Sequence, residues 1–133
     1  MPGNPAQAVL VTRPIYQVKA QFFKTLGHPA RIRVLEVLRD GECSVGELIP
    51  AVGIEPSHLS QQLGILRRAN ILQVRKQGAT VRYSVTDPRI FDLLEVARAI
   101  LTSSLAGSGQ LLAELRAQEA AERSGAPPQR ASG

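Results

Sequence analysis

At Asn70 the spacing of apolar residues in this 133-residue chain changes. Before that point they recur every three to four residues. After it, in "ILQVRKQGATVRYSV", they alternate: Leu72 and Val74 precede Gly78, and Val81, Tyr83 and Val85 follow it. The first period belongs to helices, the second to strands. Two alternating runs about Gln77-Gly78 predict a β-hairpin, so the fold must join a helical body to one small hairpin.

The helical part divides at its breakers. "IYQVKAQFFKTLG" places Tyr16, Ala20, Phe23 and Leu26 on one stripe and ends at Gly27. "HPARIRVLEVLRDG" follows, with His28 as a capping or packing residue and Pro29 at the first helical position. Its inner stripe is expected at Ile32, Leu35 and Leu38. "SVGELIPAVG" is a short helix with Ser44 as N-cap and Glu47 as its capping-box partner. "EPSHLSQQLGILRRAN" opens at Pro56 and is expected to run to about Asn70. Beyond the hairpin, Asp87-Pro88 starts a long helix, "AGSG" at 106–109 breaks it, and a last amphipathic stretch turns Leu111, Leu112 and Leu115 inward.

The expected fold is therefore mainly α with a small β-hairpin, in the order α-α-α-α-β-β-α. A short helix, a tight turn at Gly53 and a polar helix form a helix-turn-helix, and the hairpin makes it winged. At this length one core serves one domain. The expected boundaries are a flexible tail over 1–14, a winged helix domain with dimerisation helices over 15–106, an additional C-terminal helix over 107–123, and a flexible tail over 124–133. No apolar run approaches the ~20 residues that span a bilayer, so the chain is expected in the cytoplasm. The lone Cys43 excludes an internal disulfide framework.

Charge is distributed unevenly. The chain has 16 Lys plus Arg and 11 Asp plus Glu, a formal net charge of +5. Residues 56–86 contain Arg67, Arg68, Arg75, Lys76 and Arg82 and no acid, so the whole excess lies there. On a helical wheel at ~100° per residue, Leu59, Leu63 and Leu66 form the core stripe of the polar helix. Gln61 and Arg68 lie opposite, Ser57 and Gly64 beside them, and His58 and Ser60 at the edges. Gln pairs with adenine and Ser with several base edges in the major groove, while the bases meet phosphate. The implied partner is double-stranded DNA. No catalytic Ser/His/Asp order, carboxylate pair or phosphate-cradling loop points to an enzyme.

"FFKTLGHPARIRVLEVL", "SVGELIPAVGIEPSHLSQQLGILRRANIL" and "VRKQGATVRYSV" resemble the ArsR/SmtB family of bacterial winged-helix transcriptional regulators. The resemblance covers roughly residues 16–105. It implies an effector-responsive homodimer on a palindromic operator, most simply a repressor. It places Ser57, His58, Ser60, Gln61 and Gln62 at recognition-helix contacts and Arg75, Lys76, Gln77 and Gly78 in the wing. The family's dimer, held by the first and last long helices, assigns Tyr16, Phe22, Phe23, Leu94, Ala97, Leu101 and Leu105 to the interface. The last long helix supports this independently, because its apolar arc is too wide for one domain to cover.

Many members of that family bind a soft metal through a cysteine in the third helix. Here the aligned stretch is "ECSVGEL", with Ser44 at the ligand position and Cys43 one residue earlier. No metal ligand and no cofactor is assigned, and a transition-metal effector stays open. Two other readings stay open as well: a non-specific nucleoid-type DNA-binding protein, and a metal-responsive activator with a non-standard site.

Overall fold

The computed structural model describes residues 13–105 and 109–123. Apart from Arg13 and Pro14, the two expected tails lie outside these residues, as do positions 106–108 of the expected break. The elements run α1 (Ile15–Leu26), α2 (Pro29–Val37), a 3-10 turn (Leu38–Asp40), β1 (Cys43–Ser44), α3 (Val45–Val52), α4 (Pro56–Arg68), β2 (Leu72–Gln77), β3 (Thr80–Val85), α5 (Arg89–Leu105) and α6 (Gly109–Arg123).

Local chemistry accounts for most boundaries. His28 caps α2 by accepting the Ala30 amide on Nδ1 at 3.1 Å, and Pro29 follows where an amide proton would go unused. Ser44 and Glu47 form the expected capping box of α3: the Ser44 hydroxyl accepts from the Glu47 amide, and the Glu47 carboxylate accepts from the Ser44 amide. The helix α4 stops two residues short of Asn70, because Asn70 takes a left-handed φ of 60°. Its amide then reaches Arg67 O at 3.0 Å and the Ile71 amide reaches Leu66 O at 2.9 Å, a Schellman closure. The hairpin turns through Gly78-Ala79, with Gly78 at φ 62° and Gln77 opposite Thr80. Glycine suits that first central position because it alone meets no Cβ penalty there.

The sheet has a strand the alternation did not announce. Residues Cys43 and Ser44 pair antiparallel with Tyr83 and Arg82, giving the order β1-β3-β2. Two residues are too few to show a period. On one face Leu72, Tyr83 and Val85 join the core, with Cys43 beside them.

The core is formed by Leu26, Val34, Leu35, Leu38, Leu48, Leu59, Leu63, Leu66, Ile71, Leu72 and Ile90. Three expected stripes are corrected here. Leu35 and Leu38 are buried as expected, but Val34 is fully buried with them in the α2 stripe, and Ile32 is only half-buried. In α1 only Leu26 of the expected four is buried; Tyr16, Ala20 and Phe23 are exposed. Phe22 and Phe23 stack edge-to-face with centroids 5.5 Å apart, on the surface. In α6, Leu112 and Leu115 are half-buried while Leu111 is exposed. That helix packs against α5, with ion pairs Arg98–Glu119 at 3.7 Å and, to α2, Arg33–Glu122 at 3.6 Å. Burial pushes the Glu36 carboxyl up, and Glu122 nearby adds to this.

Candidate nucleic-acid interface

The helix-turn-helix is set by three residues. Gly53 ends α3 in a left-handed conformation, φ 78°, with its amide on Ile49 O. Glu55 then turns extended and Pro56 opens α4. Glu55 gives no side-chain cap, so the first-turn amides of α4 are left without a side-chain acceptor.

The buried row of α4 is Leu59, Gln62, Leu63 and Leu66, the i, i+3, i+4, i+7 pattern of an inward face. Gln62 is therefore corrected as a contact residue. It is 4% exposed, so its amide cannot reach a base edge. Its Oε1 makes no hydrogen bond among the described residues. Ser57, His58, Ser60 and Gln61 are exposed, as are Arg67 and Arg68 at the other end. Gly64 lies beneath the Arg68 side chain: a Cβ there would stand 3.1 Å from Nη1, so the guanidinium lies low along the helix. The His58 ring meets that of His28 edge-on at 6.1 Å, which ties the first turn of α4 to the cap of α2.

The hairpin packs its β2 strand against α4. Arg75, Lys76, Gln77 and Gly78 are exposed and Arg82 is half-buried. Here the structure adds what the acid-free segment concealed. Arg75 donates to Glu42 through Nε at 3.2 Å and through Nη2. Arg82 donates Nη1 to Glu47 Oε1 at 3.0 Å and Nη2 to the Glu42 carbonyl at 2.9 Å. The Arg75 hydrogen bond holds the Glu42 carboxyl below the usual carboxylate range, and the Ser44 amide does the same for Glu47. Two of the five bases are thus matched by acids from another part of the chain. Among the described residues, Arg67, Arg68 and Lys76 make no ion pair with an acid.

Comparison with known proteins places this arrangement. Residues 28–74 match the model of bacterial regulatory proteins of the arsR family. The HTH-type transcriptional regulator Rv0081 of Mycobacterium tuberculosis is 50% identical over 107 residues, covering 80% of this chain and 94% of its own. The chain belongs to the ArsR family. Among solved structures, that of Rv0081 superposes with a TM-score of 0.66 at 51% identity, over 73% of this chain and 98% of that one. The transcriptional repressor BigR from Xylella fastidiosa gives 0.60 at 36% identity, over 64% and 87%. This ArsR-family chain is a DNA-binding transcriptional regulator of the winged helix-turn-helix type and not an enzyme.

The soft-metal position of the ArsR family does not fit a metal here. The Ser44 hydroxyl is committed to capping α3. The neighbouring Cys43 is a lone, half-buried thiol, pushed up by burial. No group of three or more His, Cys, Asp or Glu among the described residues could hold a metal ion. No described helix is long and apolar enough to cross a membrane.

Proposed function

We propose that this protein is a cytoplasmic repressor that binds a palindromic operator as a homodimer. It reads base edges with Ser57, His58, Ser60 and Gln61 and holds phosphates with Arg67, Arg68 and Lys76. The observation that carries this reading is the division of α4, whose leucines are buried with Gln62 while Ser57, His58, Ser60 and Gln61 face outward beside unpaired bases. Amide and hydroxyl groups specify sequence, and bases supply sequence-independent affinity.

The dimer is supported by the exposed apolar surface of α1 and α5. Ile15, Tyr16, Phe22, Phe23, Val96, Ile100 and Leu101 all face solvent in the single chain. Apolar exposure on this scale along two helices is what a second copy would cover. A winged helix-turn-helix domain of Mycobacterium bovis, 25% identical with a TM-score of 0.58 over 73% of this chain and 88% of that one, is described as homodimeric. A C2 pair presents two copies of α4 to successive major grooves ~34 Å apart, and a palindromic site follows.

Selection of bound duplexes from a random-sequence pool tests this reading. A palindrome with half-site centres about one helical turn apart is expected to enrich. Bound DNA with no enriched sequence would mark a nucleoid-type binder instead.

A further inference from the structure

Glu42 and Glu47 stand where a wing that only attracts phosphate would have no acids. Sequence separates Glu42 from Arg75 by 33 positions and from Arg82 by 40, but the sheet brings them together. Arg75 of β2 lies directly across from Arg82 of β3, and Arg82 across from Ser44 of β1. One chain of bonds therefore runs Arg75–Glu42–Arg82–Glu47–Ser44, crossing all three strands and ending on the cap of α3. Arg75 carries its guanidinium half-exposed, one residue before Lys76 and close to the hairpin turn, so an approaching phosphate competes with Glu42 for it.

Resting on the DNA-binding reading above, we propose that Glu42 is a positioning residue for the wing. It withholds the Arg75 guanidinium from phosphate and ties the hairpin to the N-terminus of the helix-turn-helix. Two consequences follow. Non-specific affinity is held down, because each protomer presents Lys76 and not Arg75 to the backbone. The wing also keeps a fixed placement relative to α4, because β2 and β3 are both bonded to the segment that caps α3. Arg82, half-buried and bonded to both acids, belongs to this brace and not to the phosphate-contacting set.

The test is the slope of log K against log salt for a scrambled duplex, measured on four full-length proteins: wild type, Glu42→Gln, Arg75→Ala and the double variant. Thermal melting of each verifies the fold. Glu42→Gln is expected to bind scrambled DNA more tightly and to steepen the slope by about one phosphate contact per protomer, about two per dimer. Arg75→Ala alone is expected to leave the slope at the wild-type value, and the double variant to return to it. A brace of purely structural importance would shift melting temperatures and leave the slopes alone, which would overturn the proposal. An Arg75→Ala slope lowered by about one contact per protomer would overturn it too, since Arg75 would already be on phosphate. Absence of any salt-dependent binding by the wild type would instead remove the DNA-binding reading, and this inference with it.

Discussion

Gln61 and Gln62 are adjacent and chemically identical, and α4 sends them to opposite sides. Gln61 is exposed on the face away from Leu59, Leu63 and Leu66, while Gln62 sits in their row. Gln61→Ala is expected to cost ~1–3 kcal/mol on the selected palindrome, leave scrambled DNA nearly unaffected, and relax preference at one symmetric pair of positions. Gln62→Leu fills a buried site without the unpaired amide oxygen, and is expected to leave base preference unchanged and folding stability equal or higher in a urea titration. Loss of base discrimination in Gln62→Leu would mean that α4 is rotated from the placement described. Lys76→Ala should weaken operator and scrambled DNA by a similar factor and flatten the salt slope by about one contact per protomer. Cys43, a lone half-buried thiol beside a capping Ser44, is expected to be dispensable: Cys43→Ser should preserve DNA affinity and any response to thiophilic metals. A metal response abolished in that variant would contradict the misfit of the soft-metal position.

At the scale of elements, the caps carry the structure and are separately testable. Removing the Ser44 hydroxyl leaves the Glu47 amide without its acceptor at the start of α3. Ser44→Ala is expected to cost ~1 kcal/mol in chemical denaturation. The start of α5 is held by Asp87, whose carboxylate accepts the Arg89 amide at 2.9 Å and the Arg89 guanidinium as well. Those bonds bring the Asp87 carboxyl down to about 2 from an ordinary 3.8. A carboxyl lowered on folding stabilises the fold above its unfolded value and ceases to do so as pH falls through its folded value. Asp87→Ala should therefore melt below wild type at neutral pH, with the difference closing between about pH 4 and pH 2; a difference independent of pH would contradict this. These caps were legible in the sequence because each is a local pattern: His28-Pro29, Ser44 with Glu47, Asp87-Pro88. The inward place of Gln62 had a signal as well, the i, i+3, i+4, i+7 row it completes with three leucines, but the family resemblance set it among the contacts instead. What was not legible is non-local. β1 is two residues long and exists only because β3 lies beside it. The acids that neutralise Arg75 and Arg82 sit outside the acid-free window, so a count along the chain overstated the free charge of the wing.

At the scale of the molecule, the single chain leaves apolar side chains of α1 and α5 in water that a second copy would cover. Leu101 is 55% exposed near the C-terminal end of α5. Leu101→Asp should leave the monomer folded, because no core contact is lost, and place an unpaired carboxylate inside the dimer at a cost of several kcal/mol. Sedimentation should then show monomers and operator binding should collapse; a stable Leu101→Asp dimer would move the interface elsewhere. On the proposed reading, two copies of α4, fixed by a C2 axis, read two half-sites on one face of the duplex. The most direct measurement is the affinity for the selected palindrome against the same palindrome with about half a helical turn, ~5 base pairs, inserted at its centre. Insertion rotates one half-site to the far side of the duplex, so affinity should fall to that of scrambled DNA at the same salt. Equal affinity for the two duplexes would contradict a rigid dimer reading paired half-sites.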